Sequence, residues 1–356
     1  MSKYALFIGF FLFHINLSAF TYPKYALRST SSGFWEPVLF SYLIEGLFLY
    51  LLLKGLFTFS KEDLIDIFKE MMGKWLARLL LLPFAAYLFI HLTLIPRYHS
   101  EMLVISFLPR FPLWSVMLLW GLVFYSASKG PLTFLRASML FSIVIIPLIL
   151  FSIASSIQNW NYHYVFPLVN MKMDFLSNGD YYSGMISFLP FLFLGMIPVG
   201  NFPALQKSRY MVWTYACLLP FHLLSIYNPI LTFGQKAASK LQYPMLAVMD
   251  SVDIAWLMFD RLTLFYVVAS LMGSFLYTSL AAWMFVKLIQ KLYVPLNSRW
   301  ITGLLMIAVL VCGLLIPNLD WLQNLERFLS AIYLYCMIAI PATVFILSKF
   351  GRRSPA

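Results

Sequence analysis

The segment HINLSAFTYP, residues 14–23, interrupts the first of about ten apolar stretches. A second interrupted segment, FLGMIPVGNFP at residues 193–203, lies in the sixth stretch. In the first segment Asn16 and Ser18 compete for backbone hydrogen bonds and Pro23 lacks an N–H donor; in the second, glycines and prolines weaken the helix. Interrupted helices at corresponding positions of two five-helix halves are typical of a midplane binding site. Ordinary proline kinks are the alternative interpretation.

The composition places these segments in a membrane. The chain is 62% hydrophobic and only 11% charged, which leaves too few polar groups for a water-soluble surface. The apolar runs are continuous rather than alternating, so helices are favoured over a barrel. We predict an all-α integral membrane protein, a single transmembrane domain over residues 1–356. The predicted spans are residues 4–22, 34–53, 77–96, 112–128, 132–157, 184–201, 211–231, 256–290, 300–316 and 328–348.

The first span has a signal peptide as its alternative interpretation. Lys3 is its only early positive charge and no small-x-small cleavage site follows, so we expect the span to be retained. Most of the 25 basic residues fall in alternate connecting segments, which the positive-inside rule assigns to the cytoplasm. Both termini are therefore predicted to be cytoplasmic. The net charge of +11 is attributed to this topology and to anionic membrane lipid, not to nucleic acid.

One connecting segment has its own periodic pattern. Residues 58–76 place apolar side chains at helical spacing behind Ser60, a candidate N-cap with Asp63 three residues later. This pattern predicts an amphipathic helix along the inner face. A simple connector is the alternative.

Ionisable residues inside the spans are the first candidates for function, because a membrane interior makes them costly. Glu45 lies near the middle of the second span, and is read as a protonated structural carboxyl, a proton site or a partner for a ligand amine. His14, His91 and His222 also lie in apolar spans, and each is interpreted either as a hydrogen-bonded core histidine or as a histidine that titrates. The cysteines show no metal-like spacing and no catalytic set appears, so we expect no metal, cofactor or enzymatic activity.

Further motifs lie in a fixed order along nearly the whole chain. They are Pro23, Glu45-Gly46, Gly73-Lys74-Trp75, Tyr87, Arg97, Glu101, Leu108-Pro109, Pro112, Gly130, Arg136, Phe193-Leu194-Gly195-Met196, Pro203, Tyr243-Pro244 and Arg261-Leu262. With these motifs the sequence resembles the spore germination permease family. This family comprises the GerAB-type B subunits of nutrient germinant receptors, within the amino acid-polyamine-organocation superfamily.

The resemblance implies a leucine-transporter-like fold of two inverted five-helix repeats, here about residues 1–160 and 180–348. It also implies a receptor that includes an A-type subunit and a C-type lipoprotein subunit in the spore inner membrane. Two departures concern the ligand site. Asn16 and Ser18 stand where family members usually carry a glycine pair, and Ile197 stands where an acidic residue typically follows Gly195-Met196.

We therefore predict a germinant receptor subunit that binds a small nutrient such as an amino acid between spans one, three, six and eight. The alternative is a proton-coupled secondary transporter of amino acids or amines. The predicted ligand-binding residues are His14, Asn16, Ser18, Tyr87, His91, Leu194, Gly195, Met196, Ile197 and Tyr277. Polar links that stabilise one arrangement of the helices are expected at Glu45, Arg97 and Glu101.

Overall fold

The computed structural model describes residues 4–170, 172–206, 208–253 and 262–350. Within these ranges the chain forms α-helices and 3₁₀ turns, with no β-strand. The helices are α1 (Ala5–Phe20), α2 (Tyr22–Ser29), α3 (Trp35–Thr58), α4 (Leu64–Met72), α5 (Lys74–Ser106), α6 (Leu113–Met117), α7 (Gly121–Ala127), α8 (Pro131–Ser156), α9 (Gly179–Gly184), α10 (Ser208–Ala216), α11 (Leu218–Phe233), α12 (Gln235–Ala238), α13 (Pro244–Asp250), α14 (Thr263–Leu292), α15 (Ser298–Leu315) and α16 (Leu319–Phe350).

Some residues of the sequence argument lie outside the described residues. They are Lys3, Lys207, Arg352 and Arg353 of the charge pattern, Arg261 of the family motifs, and the first residues of the predicted span 256–290.

Seven helical segments of the described chain are long and apolar enough to cross a membrane, and the bent pair α1–α2 makes eight if it counts as one span. Two of the predicted ten spans have a different form. The predicted span 112–128 is a shorter apolar helix, Leu113–Ala127, and the predicted span 184–201 is mostly a run of 3₁₀ turns.

Helix α1 lies at the centre of the bundle. Nearly all of its side chains are buried, and it packs against α8, α11 and α14. Peripheral helices differ, since α15 exposes Leu304, Ile307 and Leu315. Apolar side chains on the outer surface are stable in contact with lipid, so this distribution agrees with a membrane-embedded bundle.

The first span bends by 53° between α1 and α2. Pro23, in the first turn of α2, lacks an N–H and crowds the preceding turn, which explains the position of the bend. The N–H of Thr21 still donates to the carbonyl of Leu17 at 3.0 Å. The interruption predicted within residues 14–23 is therefore present as a bend at Thr21, whereas Asn16 and Ser18 lie within the continuous helix α1.

The sixth predicted span consists largely of 3₁₀ turns, at Met185–Phe188, Pro190–Met196, Val199–Asn201 and Pro203–Gln206. We call residues 185–206 the 3₁₀ segment. The chain leaves helical geometry at Ile197, whose φ of −121° and ψ of 136° are extended. Pro198 follows directly, and a proline disfavours helical geometry in the residue before it. The helix is thus interrupted inside the quoted segment 193–203.

Helix α4 begins after Asp63, not Ser60. The Asp63 carboxylate caps the helix by accepting hydrogen bonds from the N–H groups of Ile65 and Asp66 at 3.0 and 3.1 Å. The apolar face of α4, which includes Ile67 and Phe68, is buried inside the protein. It packs against α5, α14, α16 and the 3₁₀ segment. This packing attaches α4 to the bundle.

Candidate functional site

Aromatic side chains from four elements meet at the middle of the bundle. We call Phe13, Tyr87, His91, Phe193 and Tyr277 the central aromatic cluster. The hydroxyl oxygens of Tyr87 and Tyr277 lie 2.8 Å apart, which is a hydrogen bond. The ring of Phe13 is centred 5.4 Å from that of Phe193 and 5.6 Å from that of Tyr277. The cluster therefore joins α1, α5, α14 and the 3₁₀ segment.

His91 is the most unusual member of this cluster. Its side chain is fully buried, with its ring centred 4.7 Å from that of Tyr277 in a T-shaped contact. Neither ring nitrogen has a hydrogen-bond partner among the described residues, and the hydroxyl of the neighbouring Thr278 lacks one as well. A buried polar group without a partner costs about 1–3 kcal/mol. The centre of the bundle thus holds buried polar atoms whose hydrogen-bonding capacity no described residue uses.

A polar cluster on α1, α5 and α14 lies beside this centre. The hydroxyl of Ser274 donates to one acceptor, and both Asn16 Oδ1 and His99 Nε2 lie within reach, at 3.1 and 2.7 Å. The close approach of α1 to α14 requires Gly273, because a Cβ there would lie 2.8 Å from Asn16 Oδ1. The amide nitrogen of Asn16 has no partner in the described chain. Asn16 also lines a cavity of about 10 Å³, the volume of one water position.

Glu45 pairs with His14 across α1 and α3. The Nε2 atom of His14 lies 2.7 Å from Glu45 Oε1, and both side chains are fully buried. The hydroxyl of Tyr215 on α10 lies 3.3 Å from Glu45 Oε2 and also contacts the carbonyl oxygen of Tyr42. The Tyr42 hydroxyl in turn donates to the carbonyl of Tyr215 at 2.6 Å. We call His14, Tyr42, Glu45 and Tyr215 the Glu45 network.

A second buried acid, Glu326, lies near one end of the bundle. Its carboxylate accepts hydrogen bonds from the hydroxyls of Tyr25 and Tyr98, the latter at 2.6 Å. The ammonium of Lys24 lies 3.7 Å away and donates to the Tyr98 hydroxyl at 2.7 Å. The Lys24 and Glu326 side chains are only 3% and 1% exposed. These four residues, the Glu326 network, tie the bent helix α2 to α5 and α16.

A polar cavity of about 900 Å³ lies at the same end of the bundle. Arg28 from α2 and Arg327 from α16 line it. The guanidinium of Arg327 donates two hydrogen bonds to the carboxylate of Asp180, at 2.7 and 2.8 Å. Lys236 adds a further positive charge to the lining. Asp174 lines the cavity as well, so the lining carries charges of both signs, and its volume suits a small molecule.

An ion-pair network closes the other end. The carboxylate of Asp63 lies 2.6 Å from the ammonium of Lys287 and 2.7 Å from that of Lys291, and Lys291 also reaches Asp66 at 2.6 Å. We call these four residues the Asp63 network. Burial opposes ionisation of Asp63, but the two ammonium groups outweigh it and hold the pKa of Asp63 below its usual value. Burial and the neighbouring carboxylates instead raise the pKa of Glu62.

The Asp63 network also holds the break in the 3₁₀ segment. The Lys287 ammonium donates to the carbonyl oxygen of Met196 at 2.7 Å, and the N–H of Gly200 donates to the carbonyl oxygen of Ser60 at 2.7 Å. Nearby, Gly55 on α3 contacts Val344 on α16. Val344 lies eighteen residues beyond Glu326 on the same helix, or about 27 Å. The two networks are therefore at opposite ends of the bundle.

The predicted ligand residues separate into several groups. Tyr87, His91 and Tyr277 meet in the central cluster, whereas His14 joins Glu45 and Asn16 joins Ser274. Ser18 donates to the carbonyl of its own helix at Ile15. Leu194, Gly195, Met196 and Ile197 follow the 3₁₀ segment toward the Asp63 network.

Gly195 and the three predicted polar links, Glu45, Arg97 and Glu101, lie outside the central aromatic cluster. A Cβ on Gly195 would meet Leu64 of α4 at 3.4 Å, an ordinary van der Waals distance, so Gly195 lies against α4. Arg97 pairs with Glu101, four residues later on α5, and its guanidinium donates to the carbonyl of Ile316 at 3.4 Å. Glu45 belongs to a separate network, so the three predicted residues lie in two groups.

The geometry can now be set beside known proteins. A family model described as spore germination protein matches residues 1–319. The chain belongs to the spore germination protein family. Among solved structures it is similar to MhsT in complex with L-phenylalanine, a leucine-transporter-type fold, with a TM-score of 0.63 and 13% identity over 96% of this chain and 88% of that chain. The likeness shows a shared fold. No curated protein matches the sequence.

In this spore germination family member, sequence reasoning missed Glu326, Tyr98 and His99. The rule that selected Glu45, an ionisable residue inside an apolar run, applies equally to Glu326. Glu326 lies within the long apolar helix α16, but the predicted span began only at residue 328. Likewise α5 continues to Ser106, ten residues beyond the predicted end of its span at 96. Because the internal Arg97–Glu101 pair lowers the local hydropathy, the predicted span ended too early and left Tyr98 and His99 outside.

Proposed function

We propose that the protein is the B-type subunit of a spore nutrient germinant receptor. A small nutrient such as an amino acid binds between α1, α5, the 3₁₀ segment and α14, and binding triggers germination. The family match and the leucine-transporter-type fold support this proposal. The solved neighbour MhsT is described in complex with an amino acid, L-phenylalanine, which agrees with this ligand class.

The observation that carries the proposal is the buried ring of His91. It lies near the middle of α5, with aromatic rings around it, and neither nitrogen has a partner among the residues that the structure describes. A neutral imidazole offers one N–H donor and one acceptor nitrogen. An amino acid carries an ammonium donor and a carboxylate acceptor, so its polar groups complement the ring. The surrounding aromatic side chains favour an apolar ligand side chain.

The networks that close the two ends of the bundle provide a route for signalling. The Glu326 and Asp63 networks each join an interrupted segment to helices of the surrounding bundle. A ligand shifts the populations of two arrangements only as far as its affinities for them differ. Nutrient binding therefore favours the arrangement in which the central cluster closes around it, and the change reaches both networks through α1 and the 3₁₀ segment.

The assembly and location belong to the same proposal. Residues 1–356 form one transmembrane domain of ten spanning segments with inverted repeats at about 1–160 and 180–348. A-type and C-type lipoprotein subunits join it in the spore inner membrane. Both termini face the cytoplasm, so the Asp63 network lies on the inner side and the 900 Å³ cavity on the outer side.

Proton-coupled transport is the second candidate, and the buried His14–Glu45 pair favours it. A transporter accumulates its substrate in vesicles, whereas a receptor binds without concentrative uptake. Uptake of labelled amino acids into proteoliposomes, with and without a pH gradient, separates the two functions.

The test of the binding site is His91→Phe. Phenylalanine preserves the ring contacts and removes an unpaired buried polar group, so the protein should be as abundant as wild type or more so. Nutrient-triggered germination should require at least about tenfold more amino acid, corresponding to the loss of one good hydrogen bond. The common amino acids are tested one at a time at matched receptor level.

His163→Phe is the matched control, because His163 is exposed in a connecting segment. It should leave the dose-response unchanged. An unchanged dose-response for His91→Phe, at normal abundance, would place the nutrient site elsewhere.

A further inference from the structure

The contact between His14 and Glu45 requires a proton between the two side chains. The Nδ1 atom of His14 lies 2.7 Å from the carbonyl oxygen of Phe10, which can only accept, so the proton of a neutral ring is on Nδ1. Nε2 is then an acceptor, and it lies 2.7 Å from Glu45 Oε1. Two acceptors repel each other at this distance. At least one further proton must therefore lie between Nε2 and Oε1.

The neighbouring tyrosine provides for a second proton. Three contacts lie in series: Nε2 with Oε1, Glu45 Oε2 with the Tyr215 hydroxyl, and that hydroxyl with the carbonyl of Tyr42. Three hydrogen bonds need three protons, and Tyr215 supplies only one. With a single proton on the pair, one contact has no hydrogen. With two, every contact is a hydrogen bond that ends on a carbonyl.

No other charge takes over the role of these protons. Among the described residues Glu45 forms no ion pair with a lysine or arginine. The titratable groups that face the pair are Tyr42 on α3, Tyr215 on α10, Cys217 between α10 and α11, and His222 on α11. His222 donates through Nδ1 to the carbonyl of Leu218 at 3.0 Å. One proton shared with His14 therefore neutralises the buried carboxylate, and a second proton gives the pair a net charge of +1.

We propose that His14 and Glu45 form a proton-binding site, distinct from the nutrient site, whose occupancy holds α1 to α3 and α10. Uptake of a proton from solution adds a hydrogen bond to the network, and complete release turns the 2.7 Å contact between His14 and Glu45 into a repulsion. The site thus couples the proton concentration to the position of α1. This proposal goes beyond nutrient binding, because its ligand is the proton.

The test follows the histidine rings by nitrogen NMR. The chain contains five histidines, so full-length protein labelled with ¹⁵N-histidine in lipid nanodiscs gives few signals, which single substitutions assign. The pH is varied between about 5 and about 8 with no nutrient present. We expect the His14 nitrogens to titrate in wild type. The exposed His163 is the internal standard.

Two variants separate a shared proton from simple protonation of a histidine. In Glu45→Gln the amide donates permanently to Nε2, so His14 should stop titrating while His163 is unchanged. In Tyr215→Phe the acceptor for the second proton is lost, so the pair should bind protons about tenfold more weakly, which corresponds to the loss of one hydrogen bond.

A His14 signal that is constant over this range in wild type would overturn the proposal. So would a His14 titration that is identical in wild type and Glu45→Gln. Since no nutrient is present, either result leaves the His91 test of the nutrient site unaffected.

Discussion

The two ends of the bundle are closed by ion pairs of opposite character. In the Glu326 network one lysine and one glutamate are almost fully buried, and two tyrosine hydroxyls donate to Oε2 of the glutamate. In the Asp63 network the aspartate is buried, but Lys287 and Lys291 remain 20% and 35% exposed. One end is held by a desolvated pair, and the other by charges that reach water.

This difference predicts how readily each end opens. Removing one partner of a buried pair leaves an uncompensated charge in a medium of low dielectric constant. Separating partly exposed charges costs less, because water and salt screen them. We expect the Asp63 end to separate more readily than the Glu326 end, and the following experiments test that order.

The largest effect is expected from Lys24→Met. The substitution leaves Glu326 buried without its cation and should lower the free energy of unfolding by about 3 kcal/mol. Reversible unfolding in mixed micelles measures the change. The double variant Lys24→Met/Glu326→Gln restores neutrality and keeps an oxygen acceptor for the two tyrosines, so it should regain most of the loss. If the loss of unfolding free energy in the double variant equalled the sum of the losses in Lys24→Met and Glu326→Gln measured singly, the two residues would not be coupled.

Asp63→Asn makes the corresponding change at the other end. Asparagine caps α4 as well as aspartate does, so the substitution removes only the charge that faces the two lysines. We expect a loss of about 1 kcal/mol in the same unfolding assay. Asp174→Asn is the control, since Asp174 lies exposed in a connecting segment. A loss equal to that of Lys24→Met would remove the proposed difference between the ends.

The sequence identified the parts of this comparison unevenly. It predicted most of the apolar spans, the interruption in the 3₁₀ segment and the burial of Glu45, because each is a local property of composition. It also selected His14 and Glu45 separately, but their contact depends on how α1 packs on α3. The ion-pair partners of Asp63 and Lys24 lie more than two hundred residues away in the chain. No local pattern encodes such pairings, because they depend on which helices pack together. From the sequence alone, the positions of these charges indicate only which side of the membrane they face.

Acid should weaken the Asp63 end of the bundle by protonating Asp63. The pKa of Asp63 is lower in the folded protein than in the unfolded chain. The ionised carboxylate therefore stabilises the fold fully at pH values above the unfolded pKa of about 4, and this stabilisation is lost as the pH falls through the folded pKa. Between about pH 5 and about pH 3 the wild type should therefore lose more stability than Asp63→Asn. Equal losses in the two proteins would show that Asp63 is not held by Lys287 and Lys291.

The last prediction concerns which end faces the nutrient, and it should change labelling but not stability. If the termini are cytoplasmic, Lys236 at the rim of the 900 Å³ cavity lies outside and the exposed Lys61 near the Asp63 network lies inside. In a variant without native cysteines, Lys236→Cys should react with an impermeant maleimide added to intact cells, and Lys61→Cys only after the membrane is opened. The reverse pattern would make the Asp63 end the outer one. The end that opens more readily would then face the nutrient, and the charged cavity would face the cytoplasm.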